Sequence, residues 1–106
     1  MQSTKKWIEP DRIDTCAVCG ERGPVYVRTS LLGGITNGYC QKCLVSGAEP
    51  WGDLVTYISR AGHYPDDINW VYRNIVRVTC KRLGKTEEEF AAAVDDEINA
   101  DALFFG

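Results

Sequence analysis

Four cysteines in two closely spaced pairs are the feature that most constrains how this chain can fold. The pairs are Cys16/Cys19 and Cys40/Cys43, in the pattern C-x2-C-x20-C-x2-C. A two-residue spacer lets both sulfurs of a pair reach one metal ion, and the intervening segment can return the second pair to the first. Gly20 directly follows the first pair, where it permits a tight turn. The spacing therefore predicts one tetrahedral site of four thiolates.

Disulfides, a redox dithiol and an iron centre are the alternatives to zinc. The chain has five cysteines, and an odd number does not complete a disulfide framework. A redox dithiol needs one C-x-x-C near a βαβ pattern, so two pairs exceed its requirement. Iron is the closest competitor because Cys16–Gly20 resembles a rubredoxin knuckle, although the second pair lacks that family's Pro and Gly. Ligand softness and geometry favour one Zn²⁺ per chain.

The predicted zinc has a structural role. Four protein thiolates close the coordination sphere, whereas a catalytic zinc keeps one position open for water or substrate. Metal binding would then supply folding energy to the N-terminal half of the chain.

The length of the chain, 106 residues, suits a single domain covering residues 1–106. Within it, residues 14–47 form the predicted metal-binding part and residues 48–106 the predicted helical part. No apolar run approaches the ~20 residues that span a bilayer, and residues 1–10 lack the apolar segment of a signal peptide. We therefore expect a cytoplasmic location and no membrane contact.

The two ends of the chain differ in character. Residues 1–15 are polar apart from Trp7 and Ile8, which predicts a flexible or loosely docked lead-in. The last residues, 103–106, read LFFG and are apolar. They are expected either to dock on the domain or to form a contact surface.

A β-hairpin is predicted between the cysteine pairs. Residues 24–29 are rich in β-branched and aromatic side chains and alternate in polarity, as a short strand does. The second arm is expected to end at Cys40. The turn lies at Gly-Gly 33–34 or at Asn-Gly 37–38, because both dipeptides are turn signals.

Helices are predicted for the rest of the chain. A short one follows Cys43 and stops at Gly47, and Pro50 opens the next, which Gly62 ends. The buried stripe of that second helix has the spacing i, i+3, i+4, i+7. Its members are Trp51, Leu54, Val55 and Ile58.

Two further helices are predicted near the C-terminus. Pro65, Asp66 and Asp67 suit the electropositive start of the third helix, which runs to about Leu83 with Gly84 as its cap. Thr86-x-x-Glu89 is a capping box that starts the last helix. The apolar side of the last helix consists of Phe90, Val94 and Ile98.

These elements predict an α+β fold, in which a small N-terminal zinc-bound β-hairpin packs on about three C-terminal α-helices. A cysteine knuckle, a hairpin and a second C-x-x-C leading into a helical turn resemble a treble-clef or zinc-ribbon module over residues 14–47. The segments Cys16–Gly20 and Cys43–Ala48 are also similar to the uncharacterised bacterial CbrC-like family, although this chain lacks the Pro-Trp which that family tends to have inside its second pair.

A basic stripe with a tryptophan is the most unusual feature outside the cysteines. Arg73, Arg77 and Lys81 stack at i, i+4, i+8 on the predicted third helix, and Trp70 lies one turn earlier. One interpretation is a contact site for an anionic partner, through stacking and charge. The alternative is that Trp70 packs beneath the hairpin or the N-terminal arm while the arginines pair with the acidic last helix.

Charge is distributed unevenly along the chain. The net charge is −3, which gives no general case for nucleic-acid binding. Residues 63–85 carry five basic and two acidic side chains, and residues 86–106 carry seven acids and no Lys or Arg. A basic segment is thus followed by an acidic one, which suits a solvated helix or a surface that mimics a phosphate backbone.

The remaining reactive side chains do not form a recognisable catalytic set. Cys80 lies at the edge of an apolar face and is expected to be a small buried residue. His63, the single histidine, is predicted in a loop without a nucleophile or second base beside it. We therefore do not expect an enzyme, and an enzyme with an unrecognised site is the minor alternative.

The favoured function is a protein-interaction module, a regulator or inhibitor of bacterial or phage origin whose partner is another protein. The first alternative is a nucleic-acid-binding regulator that uses the zinc module and the basic helix over residues 68–83. The sequence leaves the oligomeric state open.

Overall fold

The computed structural model describes residues 9–105 of the protein, and the side chains of residues 9–103. The described residues contain a three-stranded antiparallel sheet followed by helices, so the α+β prediction is confirmed. The strands pair in the order β1-β2-β3. Their bounds are β1 Arg12–Thr15, β2 Arg22–Thr29 and β3 Thr36–Tyr39. The helices are α1 Gln41–Ser46, α2 Trp51–Ala61, α3 Trp70–Leu83 and α4 Glu87–Phe105.

Strand β1 corrects the prediction that residues 1–15 are a loose lead-in. Its residues pair with β2 in the register Arg12↔Val25, and an Asp11 carboxylate oxygen accepts a 2.7 Å hydrogen bond from the Val27 N–H. Ile13 is 60% exposed, so the strand has no buried apolar face and its sequence carries no alternating signal. Backbone pairing and the adjacent Asp11 side chain hold it to β2. Trp7 and Ile8 lie outside the described residues.

The hairpin between β2 and β3 turns at Gly33-Gly34, the first of the two predicted dipeptides. Both glycines have a positive φ, 98° and 92°, a conformation that L-residues with side chains rarely adopt. Gly38 lies inside β3 for a different reason. A Cβ atom there would lie 3.1 Å from a methyl carbon of buried Val25, a tight contact, so the close strand packing favours glycine.

Helices α1 and α2 match their predictions. Gly47 ends α1 in a left-handed conformation with φ 83°. Pro50 is the N-cap of α2 and Gly62 follows its last residue. The predicted stripe faces the core: Leu54, Val55 and Ile58 are buried and Trp51 is partly buried.

Helix α3 begins later than predicted. Pro65 and Asp67 belong to a turn, in which the Asp67 N–H donates to the His63 carbonyl at 3.0 Å. Asn69 is the N-cap, because its side-chain oxygen accepts from the Val71 N–H at 2.8 Å. Proline and aspartate favour a turn as well as a helix start, and the nearer Asn cap decides between them.

Helix α4 begins with the predicted capping box. The Thr86 N–H donates to a Glu89 carboxylate oxygen at 2.8 Å, and the Glu89 N–H donates to the Thr86 hydroxyl at 3.0 Å. Phe90 and Val94 are fully buried, as expected, while Leu103 near the C-terminal end is 88% exposed. No helix in the described residues is long and apolar enough to cross a membrane.

The buried side chains form two clusters. We call the residues from β1 to Ala48 the cysteine region and α2 to α4 the helical region; Leu32 of the β2–β3 hairpin packs into the cluster of the helical region. The cysteine-region cluster consists of Cys16, Val18, Tyr39, Cys43 and Ala48. The helical-region cluster consists of Leu32, Leu54, Val55, Ile58, Tyr64, Ile75, Val76, Cys80, Phe90 and Val94. Helix α3 contacts both, because Ile75, Val76 and Cys80 belong to the second while Val78 and Leu83 pack against the first.

Candidate metal centre

The ends of two strands and the start of a helix position the four cysteines. Cys16 directly follows β1, and Cys19 lies in the tight turn before β2. That turn closes through a 3.0 Å hydrogen bond from the Gly20 N–H to the Cys16 carbonyl, with Gly20 at φ 80°. Cys40 follows β3 as the N-cap of α1, and Cys43 lies inside α1. Antiparallel pairing brings both pairs to the same end of the sheet.

The four sulfurs lie close enough together to hold one metal ion. All four Sγ atoms lie within 4.8 Å of one another, and Cys19 Sγ is 3.8 Å from Cys40 Sγ. Tetrahedral Zn–S bonds of ~2.3 Å place two sulfurs about 3.8 Å apart. A disulfide needs about 2.05 Å, and all five cysteines are free thiols. The geometry excludes the disulfide alternative for this arrangement and fits a metal ion.

The cysteines differ in burial and in hydrogen bonding. Cys16 and Cys43 are 1% and 0% exposed, while Cys19 and Cys40 are partly exposed. Cys16 Sγ accepts from the N–H groups of Val18, at 3.4 Å, and of Cys40, at 3.3 Å. Such N–H···S bonds within a knuckle stabilise thiolate charge.

The pKa values of the four-cysteine group reflect opposing effects of burial and hydrogen bonding. Burial raises the pKa of Cys16, but N–H donors, led by that of Cys40, outweigh it and lower the pKa to about 7. Burial raises the pKa values of Cys43 and Cys19. Four negative charges this close repel one another, so full ionisation needs a cation among them.

Arg82 is the first of two residues near this site that the sequence analysis did not predict. It lies on α3, and its Nε–H donates to Cys43 Sγ at 3.2 Å. The sulfurs of Cys43 and Cys40 raise the pKa of Arg82 above its ordinary value. The two residues of the hydrogen bond are 39 positions apart, and no local spacing pattern connects them.

Glu49 is a second missed residue, buried to 4% exposure beside the site. One carboxylate oxygen accepts from the Tyr39 hydroxyl at 2.7 Å and the Ser30 hydroxyl at 2.9 Å. The Glu49 N–H donates to the Thr79 hydroxyl on α3 at 3.0 Å. Burial, followed by the bond to Glu49, raises the pKa of Tyr39 to about 12. This network connects the residue before Cys40 to the helical region.

The structure separates the four residues of the predicted basic stripe. Trp70 is 77% exposed and does not pack beneath the hairpin, while residues 1–8 of the N-terminal arm lie outside the described part of the chain. Arg77 Nε lies 3.5 Å from a Glu87 carboxylate oxygen on α4, as the pairing alternative predicted. Arg73 Nε is buried without a hydrogen-bond partner in the described part of the chain, and Lys81 is exposed.

The other two reactive residues lie away from the four-sulfur cluster. Cys80 is buried, as predicted, and its S–H donates to the Thr86 carbonyl at 3.6 Å. His63 is exposed, with Nδ1 3.5 Å from an Asp95 carboxylate oxygen.

The fold and the site define an α+β protein with a candidate four-cysteine metal centre beside a small antiparallel sheet. No protein-family model matches the chain, and no curated protein or solved structure matches it significantly. The expected similarity to the CbrC-like family therefore receives no support.

Proposed function

We propose that this protein is a zinc-stabilised protein-interaction module. One Zn²⁺ bound by Cys16, Cys19, Cys40 and Cys43 would have a structural role, and the exposed start of α3 would bind another protein. The sulfur geometry carries the first part of the proposal, since the Cys19–Cys40 separation of 3.8 Å is the spacing of two ligands on one tetrahedral zinc.

The identity and role of the metal are argued from its ligands. Soft thiolates in tetrahedral array favour zinc or iron, and zinc is the commoner ion in structural sites of this composition. The order of knuckle, hairpin and helix start resembles a treble clef, in which such a zinc is structural. Four protein ligands leave no open position for a substrate, which supports a role outside catalysis.

The interaction surface is argued from Trp70. Tryptophan is enriched at the centres of protein interfaces, where its large ring becomes buried on binding. The Trp70 side chain is 77% exposed next to Val71, which is 45% exposed. Trp51, by contrast, packs edge-on against Phe90 with ring centroids 5.2 Å apart. Trp70 therefore leaves a large apolar ring available for contact with a partner.

A protein partner fits the surface better than nucleic acid. Arg77 is close to Glu87, Arg73 Nε is buried, and the chain carries a net charge of −3. Arg77 is exposed but paired, so Lys81 is the exposed cation of the proposed stripe that has no acidic partner among the described residues, and this is too little positive charge to follow a phosphate backbone.

Native mass spectrometry tests the metal. The expected result is one zinc per chain in a colourless protein. A folded protein without metal would refute the zinc centre. A coloured protein that contains iron would show that the four cysteines bind iron instead of zinc.

Affinity capture from the native host tests the surface, with Trp70→Ser as the variant and Leu103→Ser as the control. Both replace an exposed apolar side chain on a helix. We expect a stoichiometric protein partner that Trp70→Ser loses and Leu103→Ser retains. Equal capture by both variants would refute the role of Trp70. Capture of nucleic acid that weakens steeply with salt would support the alternative function instead.

A further inference from the structure

The contact between Arg82 and Cys43 joins the helical region to the candidate metal centre. Arg82 Nε donates to Cys43 Sγ at 3.2 Å, and the Cys43 side chain is fully buried. Cys43 itself belongs to α1, whereas Arg82 lies in the last turn of α3. A hydrogen bond between a guanidinium and a thiolate sulfur is charge-assisted, so it is stronger than one between neutral groups.

The end of α3 is held in place for this contact. Val78 and Leu83 pack against the cysteine-region cluster, and the Thr79 hydroxyl accepts the Glu49 N–H at 3.0 Å. These three anchors surround Arg82 in sequence and restrict its position. The guanidinium is therefore directed at the sulfur by packing on the same turns of the helix.

The net negative charge of the metal-bound site makes the Arg82–Cys43 hydrogen bond important. Four thiolates and one dication carry a net charge of −2, which neighbouring donors must offset. The donors to Cys16 Sγ are the backbone N–H groups of Val18 and Cys40, which most substitutions preserve. The donor to Cys43 Sγ is the side chain of Arg82, which a substitution removes.

We infer that Arg82 is a positioning residue of the metal centre, which orients the Cys43 thiolate for the ion and makes α3 part of that centre. The inference rests on the proposed four-cysteine metal site. It assigns to Arg82 a role in metal retention, separate from the proposed partner surface around Trp70.

Cobalt substitution and metal transfer to a chelator test this role in the full chain. Removing the donor raises the energy of the sulfur lone pairs, so Arg82→Gln should move the sulfur-to-Co²⁺ charge-transfer band to lower energy. Loss of such an outer-sphere partner should also weaken metal affinity by about 10–100-fold. Arg82→Lys keeps a cationic donor and should recover part of both effects. The control Lys81→Gln removes an exposed charge on the neighbouring position and should change neither.

The outcomes separate the inference from the proposed function. If the wild-type protein binds no metal, the metal site itself is refuted, and the inference fails with it. If it binds metal and Arg82→Gln leaves the band and the affinity unchanged, only the role of Arg82 is refuted. If Arg82→Gln weakens binding without moving the band, and Arg82→Lys recovers nothing, general destabilisation explains the loss and the inference is wrong.

Discussion

The cysteine region and the helical region are built on different stabilising interactions. Among the largest fully buried side chains, the helical region contributes Phe90, Leu54 and Ile58, which bury extensive apolar surface. The cysteine-region cluster has two cysteines and one alanine among its five buried members. Hydrophobic stabilisation scales with buried apolar area, so this cluster contributes less of it, although Val25 of β2 is also fully buried.

With a metal bound at the proposed site, coordination would replace part of a hydrophobic core in the cysteine region. Strand β1 has an exposed Ile13 and holds to β2 by backbone pairing, so apolar packing adds little to it. A structural zinc can supply the missing free energy, because the unfolded chain has no preformed site. The two regions should therefore respond differently to the same kind of perturbation.

Replacing a metal ligand should have the largest effect, and that effect should be confined to the cysteine region. We expect Cys40→Ser to abolish stoichiometric zinc and to remove amide hydrogen-exchange protection over residues 12–47 while residues 51–103 retain most of theirs. Cys19→Ser should act in the same way. Native mass spectrometry and hydrogen exchange measure the two effects.

Cys80→Ser is the control for ligand loss, since Cys80 is a buried cysteine of the helical-region cluster and lies outside the four-sulfur group. It should keep one zinc per chain. Zinc loss from Cys80→Ser would contradict the proposal that only the four clustered cysteines bind the metal. A Cys40→Ser protein with an unchanged melting temperature would contradict the proposal that metal stabilises the cysteine region.

Truncating the centre of the helical core should be the next largest perturbation. Phe90 is fully buried and packs edge-on against Trp51 and Tyr64, each with a centroid distance of 5.2 Å. Phe90→Ala should lower the free energy of unfolding by about 3–5 kcal/mol in denaturant titrations, through lost burial and a cavity. Zinc stoichiometry should not change. The exposed Leu103 provides the control, because Leu103→Ala should alter stability very little.

Glu49 tests the connection between the regions. Glu49→Ala would leave the buried hydroxyls of Tyr39 and Ser30 without their acceptor. The expected cost is about 1–3 kcal/mol in the free energy of unfolding. Because Tyr39 precedes Cys40, zinc transfer to a chelator should also accelerate. Unchanged transfer at reduced stability would show that the network supports the fold but not the metal centre.

Alkaline pH should reveal a smaller effect within the helical region. Burial and the 2.6 Å bond from the Tyr64 hydroxyl to a Glu87 carboxylate oxygen raise the pKa of Tyr64 to about 12. An unfolded tyrosine titrates near ~10, so the folded state holds this proton more tightly. Its contribution to stability is complete below pH ~10 and is lost as pH rises toward 12. Tyr64→Phe should therefore flatten the fall in stability over that interval, and an unchanged slope would contradict the assignment.

Local patterns explain why much of the fold was predictable. The two cysteine pairs, the glycine turn signals and the apolar stripe of α2 each lie within a few residues of sequence. The capping box of Thr86 and Glu89 is equally local, and its two hydrogen bonds form as predicted. Such signals depend on backbone geometry and periodicity, which the sequence states directly.

The features that the sequence analysis did not predict depend on contacts between residues far apart in the chain. Arg82 meets Cys43 and Glu49 meets Tyr39 only after the chain has folded. Strand β1 carries no alternation because neither of its faces is well buried. Trp70 follows the Asn69 cap at the start of α3, and its exposure depends on where the preceding turn directs the helix.

Helix α3 packs against both buried clusters, and this has a consequence for regulation. Trp70 and Arg82 are at opposite ends of one continuous helix, about 18 Å apart at a rise of 1.5 Å per residue. If occupancy of the metal site changes how firmly the Arg82 end is docked, the affinity of a partner at the Trp70 end changes with it. Thermodynamic linkage makes that effect reciprocal, so such a partner would alter the affinity of the protein for its metal by the same factor.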